Sequence, residues 1–142
     1  MQKIEWNIAM IGITNLSGGL QYVNSLKKIG ETILAKERKG HLDLSVVLVK
    51  ESKMRELNKV YRGKDKSTNV LSFPEEELGL GELVLCPAVI RKDAAKYGIT
   101  FKAELTRIFI HGMMHLVGYD HAKDADFKRM SQKEEHYLSL VS

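Results

Sequence analysis

The segment Phe109-Ile110-His111-Gly112-Met113-Met114-His115-Leu116-Val117-Gly118-Tyr119-Asp120-His121 restricts this chain more than any other stretch. It is apolar enough to be buried, yet it carries three imidazoles. His111 and His115 are four apart, so on a helix both rings leave the same face, one turn above each other. Gly118 follows three residues later, where a glycine can take the left-handed conformation that ends a helix and turns the chain back. That reversal would bring His121 toward the same point. Burying unpaired imidazoles would cost roughly 1–3 kcal/mol each. Gly112 adds a helix penalty of about 1 kcal/mol relative to alanine. A stretch so far from local preference reads as a functional site, and three converging imidazoles read as a metal site.

Three neutral nitrogens with an open fourth position describe a catalytic zinc centre, because structural sites usually fill all four positions with protein ligands. The expectation is one Zn2+ per chain, held by His111, His115 and His121. Asp120, Asp124 and Asp126 are close enough in sequence to accept the other ring N–H of a ligand histidine and so fix its tautomer. Of these, Asp120 and Asp124 are the first choices. Imidazole ligands suit zinc, and also nickel, copper and iron. Cys86 is the only cysteine, which excludes an internal disulfide and a thiolate-rich zinc site within one chain. Preceding Pro87 at a strand-to-helix junction, it reads as a small buried hydrophobe. His136 reads as solvent-facing, His41 as a turn residue, and Met113 and Met114 as packing for the metal helix.

The histidine spacing matches the metzincin protease pattern, but Gly112 stands where those enzymes carry their general-base glutamate. Peptide hydrolysis needs a base for water and an acid for the leaving amine, and glycine offers neither. Phosphodiester cleavage asks for less. Zinc lowers the pKa of its water to about 7, so hydroxide is available without a separate base. Phosphoryl transfer does need cations for the equatorial oxygens. Arg62-Gly63-Lys64-Asp65-Lys66-Ser67-Thr68 offers them in one loop, with Arg62 first because a guanidinium binds phosphate through two donors. Lys64 and Lys66 are further substrate-binding candidates. Cleavage is expected to depend above all on Arg62 and His115.

Two other readings remain open at this level. One is a zinc peptidase whose base comes from Glu82 or Asp65. The other is a non-catalytic, metal-stabilised factor that binds RNA, a role that the family resemblance given below would place in ribosome assembly.

At 142 residues and 44% hydrophobic composition, the chain is sized for one domain, 1–142, with one core. Its 22 basic and 18 acidic residues leave a formal charge of +4, which favours anionic partners without naming them. The longest apolar stretch near the start, Ile8 to Ile13, is far short of the roughly 20 residues a membrane span needs. No membrane partner is expected, and a cytoplasmic location is the default.

Apolar spacing predicts a strand over Ile4 to Ile13, then a helix introduced by Ser17 and carrying Leu20, Val23, Leu26, Ile29, Ile33 and Leu34 to an end near Gly40. A strand around Leu44 to Leu48 follows, then a helix capped by Ser52 and running through Tyr61. Asn69 to Phe73 and Glu82 to Cys86 read as two paired strands. Pro87 starts a helix that Gly98 closes, Thr100 caps the histidine helix, and a last helix spans Asp124 to Leu140. The fold class is α+β: a small four-stranded mixed sheet with about five helices packed on it and the metal-binding helix central. Strand order is not readable.

Two separated motifs resemble the YbeY family of bacterial metal-dependent endoribonucleases of ribosomal RNA maturation. One runs from Asn58 through Tyr61, Arg62 and Thr68 to Pro74 and continues with Leu80-Gly81-Glu82; the other is the histidine segment extended through Asp124, Met130 and Glu134. The resemblance covers most of residues 54 to 136. It implies that His111, His115 and His121 are the zinc ligands and that Arg62 is the functional arginine of the active cleft. It also implies single-stranded or ribosomal RNA as substrate, processing of the small-subunit RNA at its 3′ end, ribosome quality control, and contact with the small subunit and its assembly GTPase. Ser67 stands where the family often has proline, and Glu82 where aspartate is frequent.

Overall fold

The computed structural model describes residues 10–19, 22–75, 79–119 and 124–141. Its elements are β1 (Ile11–Asn15), α1 (Val23–Lys36), β2 (Asp43–Leu48), α2 (Glu51–Arg62), β3 (Val70–Pro74), β4 (Gly79–Leu85), α3 (Pro87–Tyr97), α4 (Phe101–Leu116) and α5 (Asp124–Val141). The four strands form one mixed sheet in the order β1-β2-β4-β3. β1 and β4 both run parallel to β2, and β3 is an antiparallel edge on β4, with Leu71 opposite Val84 and Phe73 opposite Glu82. The expected α+β class and the pairing of the last two strands, β3 with β4, are therefore observed.

Alternation along the strands divides the core. Leu44, Val46, Leu48, Leu83 and Leu85 face α1, α4 and α5, where they meet Leu26, Ile33, Phe109 and Met113. Leu71, Val84 and Phe73 face the other way and are covered by Met54 and Leu57 of α2. The register shifts between Asp43 and Leu44 against β4, where Leu80 is the extra residue. This bulge lets Leu80 share the core face with Leu83 and Leu85 despite the odd spacing. Gly81 beside it takes φ 140°, and a Cβ there would run into the Phe73 carbonyl oxygen. Only glycine fits at this point.

Helix boundaries follow the local chemistry, with corrections. Pro87 opens α3 and Gly98 closes it at φ 69°. The Thr100 hydroxyl accepts the Ala103 N–H at 3.1 Å to cap α4. Ser52, expected as a cap, lies inside α2, which begins after Lys50 without a side-chain cap. Ser17 does not cap α1 either; it donates to the Asn15 side chain, and the helix begins after Tyr22. α1 stops at Lys36, short of Gly40, and β1 sits further along than expected, at Ile11–Asn15. The remainder of that predicted strand, residues 4–9, lies outside the described residues, as does Leu20.

α4 packs against α1, α3, α5, β3 and β4. Its Leu105, Phe109, Ile110, Met113 and Met114 are fully buried, each worth roughly 1.5–3 kcal/mol of burial for a side chain of that size. Among the described residues no helix is long and apolar enough to cross a membrane.

Candidate functional site

α4 carries His111 and His115 on the face that looks past the β3 edge. Their ring centroids are 4.8 Å apart with the planes nearly perpendicular, as the i, i+4 spacing requires. Both line a cleft of about 360 Å³ together with Arg62, Thr68, Asn69, Val70, Ser72, Arg107 and Ile108. One wall is α4. The other is built from the end of α2 and the start of β3.

The Nδ1 of His111 lies 2.9 Å from Oε1 of Glu134 on α5. With Nδ1 donating to a carboxylate, the lone pair of the ring sits on Nε2, the tautomer a metal ligand needs. Sequence reasoning had given this role to Asp120 or Asp124. Asp120 lies outside the described residues, and Asp124 is exposed in the first turn of α5, whereas Glu134 follows almost three turns later and is half-buried against α4. The periodicity of α5 could have pointed to it, because Met130, Glu134 and Tyr137 share one face at i, i+4, i+7, and Met130 and Tyr137 are its buried residues.

His121, the third expected ligand, lies outside the described residues. Among the described residues no group of three histidine, cysteine or carboxylate side chains is placed to hold a metal ion. The approach to residue 121 is described. Gly118 adopts φ 110° and donates to the His115 carbonyl, and Tyr119 donates its N–H to the Met114 carbonyl, so α4 ends in the turn that the glycine predicted. The donor set present fits a divalent ion of borderline softness such as zinc: two imidazoles one turn apart, one oriented by a carboxylate, with the cysteine remote. Cys86 is buried in the α2-side cluster, where burial pushes its thiol up.

Gly112 has a structural role. An added Cβ would sit 2.8 Å from Leu83 Cδ2 and 3.3 Å from Val70 Cγ2, because this position of α4 faces the sheet. A glutamate here would press against Leu83 and Val70. The alternative bases proposed for a peptidase are also elsewhere. Asp65 pairs with Arg55 at 2.8 Å, and that hydrogen bond and charge hold its carboxyl below the usual range. Glu82 lies on the strand between Gly81 and Leu83, on the face away from α4, and accepts from the Ser45 hydroxyl at 3.3 Å.

The loop after α2 is held from several sides. The buried Asn58 donates its side-chain N–H to the Lys66 carbonyl at 2.8 Å, and Gly63 ends α2 at φ 69°. Ser67 donates to Glu51 at 3.0 Å, and Lys92 reaches the same carboxylate, so hydrogen bonds stiffen the loop. The loop brings Arg62, Thr68 and Asn69 to the cleft. It does not bring the other two predicted cations there. Lys66 lines a separate depression with Glu51, Arg55 and Asp65, and the exposed Lys64 lines neither. Arg107, which sequence reasoning missed, does line the cleft. Its signal was present: Arg107, His111 and His115 recur at i, i+4 and i+8.

A comparison with known proteins agrees with this geometry. Residues 15–142 match the family described as Endoribonuclease YbeY. A protein of that description from Thermotoga maritima is 39% identical over 134 residues, which is 93% of this chain and 89% of the relative. Another, from Stutzerimonas stutzeri, is 42% identical over 111 residues, 73% of this chain and 69% of the relative. A solution structure from Thermotoga maritima superposes with a TM-score of 0.72 at 38% identity, covering 93% of this chain and 89% of that one. With the motif residues gathered at one cleft and the match running over most of the chain, this protein belongs to the YbeY endoribonuclease family.

Proposed function

We propose that this protein is a zinc-dependent endoribonuclease that cleaves single-stranded or ribosomal RNA at the cleft between α4 and the α2–β3 loop. The observation that carries the reading is the placement of two neighbouring imidazoles and Arg62 around one cleft. His111, His115 and His121 would hold the ion, with Glu134 orienting His111. Zinc bound there would supply Lewis acidity and make hydroxide available near neutral pH.

The rest of the chemistry belongs to side chains. Arg62 can donate two hydrogen bonds to the non-bridging oxygens of the phosphate and hold the charge that builds in the transition state. Thr68 and Ser72 add hydroxyl donors on the same wall. The cleft is large enough for a phosphate and its sugar, and too polar to select an apolar ligand. A formal charge of +4 favours approach of a polyanion. The family likeness extends the proposal to maturation of the small-subunit ribosomal RNA 3′ end in the cytoplasm, in contact with the small subunit and its assembly GTPase.

The test is cleavage of single-stranded RNA by the purified protein, beside His115→Ala and Arg62→Ala, with metal content measured on each. His115→Ala should lose both metal and cutting; Arg62→Ala should keep metal and lose cutting by about a hundredfold or more. Cutting that survives in His115→Ala would end the proposal.

A further inference from the structure

Arg107 lines the cleft one helical turn before His111, yet nothing in the proposed cleavage uses it. Its guanidinium is fixed by a side-on pair with Glu104: Nε to Oε1 at 2.8 Å and Nη2 to Oε2 at 2.9 Å. Glu104 is completely buried, while Arg107 remains 44% exposed. A buried carboxylate is costly, and a hydrophobic residue at 104 would avoid that cost. What the pair achieves is orientation. Glu104 occupies one edge of the fork, which leaves the opposite edge, Nη1 with the second Nη2 hydrogen, for a ligand in the cleft.

Along α4 the next residues of this face are His111 and His115, and four residues of helix advance about 6 Å. That interval is close to the spacing of neighbouring phosphates on an extended single strand. We infer that Arg107 binds the phosphate adjacent to the one lying over His111 and His115, so that the cleft grips RNA through two successive linkages. This rests on the proposed RNA substrate and assigns a specificity: the site favours an internal linkage flanked by another charged phosphate over a terminal one. Arg62 holds the reacting phosphate from the opposite wall, and Arg107 sets the register of the strand.

The experiment reads binding, so that it stands apart from whether RNA is cut. A fluorescent oligouridylate is titrated into the zinc-loaded protein on ice over a range of salt concentrations. A parallel set carries one neutral methylphosphonate linkage at each position in turn. The variants are Arg107→Lys and the pair Glu104→Gln with Arg107→Gln, which keeps a neutral hydrogen bond in place of the ion pair; thermal unfolding reports their integrity. In the wild type, two neighbouring neutral linkages should each weaken binding. In the paired variant binding should weaken about tenfold, the salt slope should flatten by about 0.7, and sensitivity at one of those two linkages should vanish. Arg107→Lys should keep the slope and lose part of the affinity. A folded paired variant with wild-type affinity and slope would overturn the inference. So would a wild-type protein sensitive to only one neutral linkage, which needs no variant at all. Failure to cut RNA with the Arg107 coupling intact would sink the proposed reaction and leave this contact standing.

Discussion

The imidazole of His111 on α4 and the carboxylate of Glu134 on α5 meet at 2.9 Å, joining two helices at the edge of the cleft. Glu134 is about one-fifth exposed and His111 about one-third, so the contact is shielded without being sealed. Carboxylates in this relation to a ligand histidine hold its ring and raise its basicity.

Glu134→Gln should therefore weaken zinc binding about 10- to 100-fold while leaving the fold intact. Competition with a chelator, read against the unfolding temperature of the apoprotein, separates the two effects. Equal metal affinity in the variant would show that the contact only joins the helices.

Glu37, just past the end of α1, ties the two helices that flank residues 120–123. It accepts hydrogen bonds from Tyr119 at 2.9 Å, from Lys133 at 3.2 Å and from the buried Tyr137 hydroxyl. Burial pushes the Glu37 carboxyl up, but the bonds from Tyr137, Tyr119 and Lys133 together outweigh it and hold it below its ordinary value. Its contribution to stability is thus complete above the unfolded-state pKa and is lost as pH falls through the lower folded one. Unfolding free energies of wild type and Glu37→Gln should differ by about 1–3 kcal/mol at neutral pH and converge in acid, below about pH 4. A difference that persists unchanged into acid would contradict this.

Gly112→Glu should destabilise the protein by about 3 kcal/mol or more, because the new side chain meets Leu83 and Val70 and buries a charge against the sheet. It should also produce no hydrolysis of unstructured peptides. Denaturant unfolding and a peptide-cleavage assay check the two halves, and peptidase activity would show that position 112 reaches the cleft.

Asn58→Ala removes the side chain that holds the Lys66 carbonyl and leaves that acceptor without it. The expected cost is about 1–3 kcal/mol of stability. The loop carrying Arg62 should loosen, so that KM for RNA rises while metal content stays unchanged. Proteolysis rates within residues 63–68 should rise in parallel, and an unaltered KM would mean that Arg62 is placed by α2 alone.

What could be read along the chain was whatever depends on near neighbours. The i, i+4 histidines, the Gly118 turn, the Thr100 cap, the Pro87 start and the Gly98 stop are decided within a few residues by backbone geometry and local hydrogen bonds. Ser52 and Ser17 were misjudged as caps because their hydroxyl chemistry permits capping without requiring it, and the helix start is set by where packing begins. Strand order, Glu134 on His111, the meeting of Arg62 and Arg107 across one cleft, and the exclusion of Lys66 from it were decided only by the tertiary structure. Charged side chains many residues apart meet only after the sheet has brought α2, α4 and α5 together. Residue type says what such a group can do; the burial of the helices between them decides which partner it finds.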